Sequence, residues 1–246
     1  MAVLIGINPV REALRAGSPL DRIVIAKGAG GQRLQEIVDL ARQKGVAVRF
    51  EPREALNRLT NEASHQGVVA IGAAKAYHDL DEVPADSQLV VLLDGVEDPH
   101  NLGAIIRTAH AAGASAIVIP ERRAVGLTET VAKASAGAVE YLPIVRVANI
   151  RQALEKLKAQ GFWIYGLDER GETAYNAIEY SKPTAFVLGG EGKGLHEHTK
   201  KDCDFLINIP MAGAVSSLNV SVAAGVVLFH FRHATQSAHS LTEPRA

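Results

Sequence analysis

LVVLLDGVEDPHNLGAIIRTAHAAGASAIVIP, residues 89–120, is the stretch on which the fold turns. LVVLLD is a nearly continuous apolar run, which suits a parallel strand buried on both faces. NLGAIIRTAHAAG then reads as a helix, with Asn101 as its expected N-cap and Gly113 as its C′ stop. AIVIP at 116–120 supplies the next strand. A strand, a helix and a strand in such quick succession predict a βαβ unit.

The alternation continues downstream. Strands are expected at YLPIV (141–145), FWIYGL (162–167), AFVLGG (185–190) and FLINIP (205–210). A helix from Ile150 to Gln160 lies between Asn149 and Gly161, which serve as start and stop signals. The pattern predicts an α/β domain with a doubly wound parallel sheet. Upstream, helices at Val10–Arg15, Leu34–Lys44 and Arg53–Leu59 alternate with RIVIA (22–26), VAVRF (46–50) and GVVAIGA (67–73), giving a second, smaller α/β unit. Between them YHDLDEVPADS is polar and aperiodic. The expected organisation is therefore domain 1–75, linker 76–87 and domain 88–246, with a frayed tail from about Thr235.

With 246 residues, 47% of them hydrophobic, the chain can bury a substantial core. No apolar run approaches the roughly 20 residues needed to span a bilayer, and MAVLIGINPVREAL becomes helix-like too soon for a signal peptide. A cytoplasmic protein with no membrane partner is expected. Cys203 is the single cysteine, so it has no disulfide partner and suits a reducing compartment as a structural residue. No metal site is expected: His196 and His198 flank Glu197 at a spacing that does not share a helix face, and a solvated loop is expected there. Total charge is close to neutral, with 26 basic and 27 acidic residues. Residues 1–75 nevertheless carry a net +4 and the remainder −5, so the front end would suit phosphate backbones.

Three segments converge on one kind of site. The first places Asn101 and Arg107 just beyond the strand ending at Asp94, and ligands in open α/β sheets gather beyond the carboxyl ends of strands. The second, FVLGGEGKGL (186–195), is a strand followed by a glycine-rich turn carrying Glu191. It is no P-loop, because Gly194 follows Lys193 where Ser or Thr is required and Val187 holds the earlier glycine position. The third, IPMAGAVSSLNVSVAAG (209–225), joins a strand to a small-residue helix through Ser216, Ser217, Leu218 and Asn219, the last a good N-cap.

Together, in order and spacing, these segments resemble the three motifs of the SpoU/TrmH branch of the SPOUT methyltransferases. GINPVREAL at 6–14 and His65-Gln66-Gly67 extend the likeness into the front domain, which resembles the ribosomal-protein-like RNA-binding module of the family's bacterial 23S ribosomal RNA guanosine 2′-O-methyltransferases. The resemblance implies a deep trefoil knot in the carboxyl-terminal domain, a homodimer, and S-adenosylmethionine as methyl donor. It implies a cofactor site of Leu188, Gly189, Gly190, Glu191, Gly192, Ile209, Met211, Ser217, Leu218 and Asn219, and a catalytic group of Asn101, Arg107, Glu191, Ser217 and Asn219. Arg107 matches the residue proposed as base in the family. Arginine is effectively always protonated, so holding an RNA phosphate is an equal alternative. The implied reaction is 2′-O-methylation of a guanosine in the peptidyl-transferase region of 23S ribosomal RNA. A transfer RNA guanosine, or a non-catalytic assembly role on the same scaffold, are the alternatives.

Overall fold

The computed structural model describes residues 2–181 and 183–240. The chain divides into two compact units: one contains the chain up to Ala76 together with Gly126–Tyr141, the other Tyr77–Val125 and the chain from Leu142 onward.

The first unit runs β1 (Ala2–Ile5), α1 (Ile7–Ala16), β2 (Leu20–Ala26), α2 (Gln32–Lys44), β3 (Ala47–Glu51), α3 (Arg53–Leu59) and β4 (Val68–Gly72). Its sheet has the order β1-β4-β2-β3, with β2 and β3 parallel and the other pairs antiparallel. Val10, Leu14, Ile23, Ile25, Leu34 and Ile37 form the core beneath α1 and α2, while Val24, Ala26, Leu56 and Val69 form a second cluster on the face carrying α3. The two sequence elements at its front meet: the Gln66 side-chain oxygen accepts from the Ile7 backbone N–H at 3.1 Å, satisfying one of the orphan donors at the start of α1.

The second unit begins with β5 (Leu89–Asp94), α4 (Pro99–Ala112) and β6 (Ala116–Pro120). The chain then returns to the first unit to form α5 (Glu129–Ala134), capped by the Thr128 hydroxyl accepting from Val131 N–H. Back in the second unit follow β7 (Ile144–Val147), α6 (Ile150–Ala159), β8 (Trp163–Leu167), β9 (Thr173–Ala174), β10 (Thr184–Gly189), α7 (Glu197–Asp202), β11 (Phe205–Asn208) and α8 (Val220–Ser240). The seven strands are all parallel, in the order β7-β6-β5-β10-β8-β11-β9. Every residue of β5 is buried, as its unbroken apolar run requires. Val90, Leu92, Val118, Leu154, Leu157 and Val187 share one core cluster with α6. Tyr165, Phe186 and Phe231 interlock with Tyr180 through edge-to-face contacts under α8.

Several expectations need amendment. The stretch expected as linker 76–87 is packed: Leu80 and Val83 are buried in the second unit's core, and a short 3-10 turn spans Leu80–Glu82. The strand expected at YLPIV begins only at Ile144, and a 3-10 turn at Ala138–Glu140 precedes the stretch. Residues 126–141, which fall within the stretch expected as the second domain, are held in the first unit by the Tyr141 hydroxyl on Glu12 (2.7 Å) and Lys75 on the Glu140 carbonyl (3.1 Å). The tail expected to fray from about Thr235 continues as helix to Ser240, and the rest of it lies outside the described residues. Among the described residues no helix is long and apolar enough to cross a membrane.

Candidate active site

Because β6 and β7 extend the second sheet on one side of β5 while β10 and β8 extend it on the other, the strand order reverses between β5 and β10. A crevice is expected outside the carboxyl ends of such strands. A cavity of about 610 Å³ lies at the carboxyl ends of β10 and its neighbour β8, bounded by Leu167–Arg170 at the end of β8, Leu188–Gly194 at the end of β10, and Ile209, Met211 and Ser216–Val220 between β11 and the start of α8. Leu188, Gly189, Gly190, Glu191, Gly192, Ile209, Met211, Ser217, Leu218 and Asn219 all stand in its wall. The glycines there answer to close backbone approach. A Cβ on Gly190 would collide with the Gly95 carbonyl, and one on Gly189 with the backbone of Gly194.

A chain of side-chain amides joins the three motifs. Asn219 caps α8, its Oδ1 accepting from the Ser221 backbone N–H at 2.9 Å and the Ser221 hydroxyl at 2.6 Å. Its Nδ2 donates to Asn101 Oδ1 at 3.0 Å, and Asn101 Nδ2 donates in turn to Glu191 Oε1 at 2.6 Å. Asn101 is buried, so each of these bonds offsets a desolvation cost. It is not the N-cap of α4. That position belongs to Asp98, whose carboxylate accepts from the His100 backbone N–H at 2.7 Å, with Pro99 as the first helical residue. Asn101 sits two residues further on, still in the first turn, which frees its amide for Glu191 and Asn219.

Ser217 is exposed on the cavity wall. Arg107 stands outside the lining. It is exposed on the third turn of α4 and makes no ion pair or side-chain hydrogen bond among the described residues.

Two further pairs shape the cavity. Asp168, at the carboxyl end of β8, is buried in the wall, binds Lys200 Nζ at 2.9 Å and accepts from the Arg170 backbone N–H at 2.9 Å. Burial alone would raise its carboxyl, yet the Lys200 bond and the Arg170 N–H hold it below the ordinary aspartate range. The strand-end rule that points to Asn101 and Arg107 beyond β5 applies equally to Asp168 beyond β8. The second pair overturns the solvated loop expected at His196. Its Nδ1 lies 2.9 Å from Asp94 Oδ1, and its backbone N–H donates to Asp94 Oδ2 at 3.0 Å. Gly190 N–H donates to the Asp94 carbonyl at 3.0 Å, so both ends of the glycine turn hang from one buried aspartate. Nearby, Cys203 donates to the Thr199 carbonyl, and burial pushes its thiol up to about 12, as befits a structural residue. No group of three or more His, Cys, Asp or Glu side chains among the described residues is arranged to hold a metal ion.

The cavity thus offers apolar wall from Leu188, Ile209, Met211 and Leu218, and charge of both signs from Asp168, Glu191, Glu197 and Lys200. Its size is that of a small-molecule site, and its lining suits a flat ring joined to a polar, doubly charged tail.

Comparison with known proteins agrees with this geometry. The sequence profile of the SpoU rRNA Methylase family matches residues 88–229, and that of an RNA 2′-O ribose methyltransferase substrate-binding domain matches residues 3–78. A Bacillus subtilis protein named as a TrmH-family tRNA/rRNA methyltransferase is 43% identical over 232 residues, spanning 92% of this chain and 93% of that protein. The SpoU methyltransferase AviRb of Streptomyces viridochromogenes, solved with its cofactor AdoMet, superposes with a TM-score of 0.82 at 28% identity over 96% of this chain and 90% of its own. An AdoMet-bound rRNA methyltransferase of Sinorhizobium meliloti gives 0.80 at 29% identity, over 94% and 87%. A TrmH/SpoU tRNA-modifying enzyme of A. aeolicus gives 0.57 at 29% identity and covers only 67% of this chain and 86% of its own.

Proposed function

The chain belongs to the SpoU rRNA methylase family, and from that premise we propose that it methylates the ribose 2′-hydroxyl of a guanosine in the peptidyl-transferase region of 23S ribosomal RNA, using S-adenosylmethionine. The observation that carries the assignment is the Glu191–Asn101–Asn219 hydrogen-bonded chain on the rim of the cavity. The cavity fits such a cofactor in size and in lining, with apolar wall for a purine and Asp168, Glu191, Glu197 and Lys200 for an amino-acid tail. S-adenosylmethionine, when bound, supplies an electrophilic methyl on a positively charged sulfur. The protein's part is positioning: a near-contact, in-line approach of the hydroxyl contributes more than any single charge.

Of the two roles open to Arg107, its exposure, with no acidic partner among the described residues, favours the RNA phosphate clamp. A guanidinium there lowers the cost of charge developing on the neighbouring hydroxyl without itself moving a proton. Asn101 fixes Glu191 and Asn219, and Ser217, two residues before Asn219 in the same wall, offers a hydroxyl to the ribose.

Ribosomal rather than transfer RNA is favoured by coverage. The neighbour named as an rRNA methyltransferase spans both units, whereas the tRNA-modifying neighbour covers only two thirds of the chain. The homodimer reading is supported by an apolar stripe on α8: Val222 and Phe229, seven positions apart, are 52% and 48% exposed. Val215, in the turn before α8, is 71% exposed. The family's trefoil knot and a cytoplasmic location belong to the same reading. Isothermal titration with S-adenosylmethionine, followed by transfer of a labelled methyl to purified ribosomal RNA, tests it. Saturable binding with label on large-subunit RNA is expected. Binding without transfer to any RNA would favour the non-catalytic assembly role instead.

A further inference from the structure

The substrate-binding reading of the first unit leaves open which of its surfaces meets RNA, and one edge of its sheet is distinctive. β2 and β3 are parallel, so their carboxyl ends lie together. There the Lys27 N–H donates to the Glu51 carbonyl at 2.8 Å, and the Ala26 N–H donates to the Gly67 carbonyl at 2.9 Å, gathering the ends of β2 and β3 and the start of β4 into one edge. Phe50, next to last in β3, pairs in register with Ile25, whose side chain lies in the core beneath α1 and α2. Phe50 shares that face, yet it is 55% exposed. More than half of Phe50 is therefore open to a ligand at this strand end.

The charges around it are equally unspent. Lys27 follows β2, Arg33 lies in the first turn of α2 and Arg53 opens α3, so all three stand at this edge. Each is exposed, and none makes an ion pair or side-chain hydrogen bond among the described residues. The contrast lies on α1 of the same unit, where Arg11 and Arg15 are both paired with Glu12 and Glu36. Glu54 and Glu62 flank the edge without pairing any of the three, although the Arg53 and Glu62 charges are both felt by His65.

From this placement we infer that the β2–β3 edge is a single-stranded RNA surface, on which an unpaired base stacks against Phe50 while Lys27, Arg33 and Arg53 contact the phosphates beside it. The occupant is single-stranded because a base in a duplex offers its edges, not its face, and only an unstacked base can lie on a ring. The three cations supply the sequence-independent part of the affinity. The inference rests on the RNA methyltransferase reading for the nature of the ligand, and on the unit's own geometry for its position.

The test is fluorescence anisotropy of the full-length protein with two labelled RNAs, one an unstructured oligoribonucleotide and one a fully paired duplex. Phe50→Ala and Phe50→Leu are expected to weaken binding of the single strand about tenfold and to leave duplex affinity little changed, with Phe50→Trp restoring the wild-type value. Replacing Lys27, Arg33 and Arg53 together by Ala is expected to weaken both RNAs and to reduce the salt slope on the single strand by roughly 2. S-adenosylmethionine binding, in the other unit, should be unmoved in every variant. Wild-type affinity and slope in the Phe50 and triple variants would overturn this surface while leaving the methyltransferase reading intact. Failure of the wild-type protein to bind either RNA would overturn both.

Discussion

Asn219 Nδ2 donates to the side-chain oxygen of Asn101 across 3.0 Å, tying the start of the last helix to the first turn of α4 over a separation of 118 residues. Asn101 spends its own amide N–H on Glu191, so the bond is directional: Asn101 needs both an acceptor and a donor. Asn101→Asp keeps the shape and removes the donor, leaving two carboxylates facing each other. It should cost roughly 2 kcal/mol or more in thermal stability and lower methyl transfer at saturating cofactor. Asn219→Ala loses the α8 cap as well, about 1 kcal/mol. A double-mutant cycle by denaturant unfolding should show coupling between the two positions; strict additivity would mean that the bond contributes nothing.

Arg107→Ala should slow single-turnover methyl transfer by on the order of a hundredfold or more while leaving S-adenosylmethionine affinity within error. Arg107→Lys retains the charge but not the bidentate fork, so it should recover part of the rate. If Arg107 acted as a base instead, the pH–rate profile would change shape in the lysine variant, because lysine titrates at a lower pH than arginine.

His65 links function-independent stability to pH. Its Nδ1 accepts from the Gly67 backbone N–H at 3.1 Å, so Nε2 carries the proton facing Asn57 Oδ1 at 2.9 Å. Burial first, and Arg53 second, hold the imidazole below its ordinary range, against a smaller opposite pull from Glu62. The folded state therefore binds fewer protons than the unfolded chain. The stability this contributes is complete above about pH 6.5, the unfolded value, and is lost as pH falls through the folded value. Melting temperatures recorded from pH 7.5 down to 5 should fall for the wild type. His65→Gln, which does not titrate, should start about 1 kcal/mol lower and fall less steeply. Parallel curves would remove His65 from the explanation.

Phe229→Glu places a charge in the exposed stripe of α8 without touching the cavity. Sedimentation velocity at micromolar protein should show the wild type as a dimer and the variant shifted at least tenfold toward monomer. A wild type that sediments as a monomer would dispose of the dimer, not of the cavity.

Much of this architecture was legible because parallel strands buried on both faces leave long apolar runs, as Leu89–Asp94 does, and because helices announce their ends, as Gly113 and Asn149 do. Asn101 reads as a cap because Asp98 and Asn101 are both Asx residues three apart; Pro99 directly after Asp98 is the deciding signal. His196 reads as a solvated residue because its partner, Asp94, lies 102 positions away, and no local pattern encodes such a contact. The return of residues 126–141 to the first unit was hidden for the same reason: Tyr141 and Glu12 are 129 apart. Asp168, by contrast, was within reach of the strand-end rule and was passed over.

The decisive measurement is mass spectrometry of nucleosides from 23S ribosomal RNA and from transfer RNA after incubation with the purified protein and methyl-labelled S-adenosylmethionine. Labelled 2′-O-methylguanosine should appear in the 23S RNA, be absent from the transfer RNA, and accumulate on the order of a hundredfold more slowly with Arg107→Ala. Label confined to transfer RNA, or carried on a base instead of a ribose, would contradict the proposed activity.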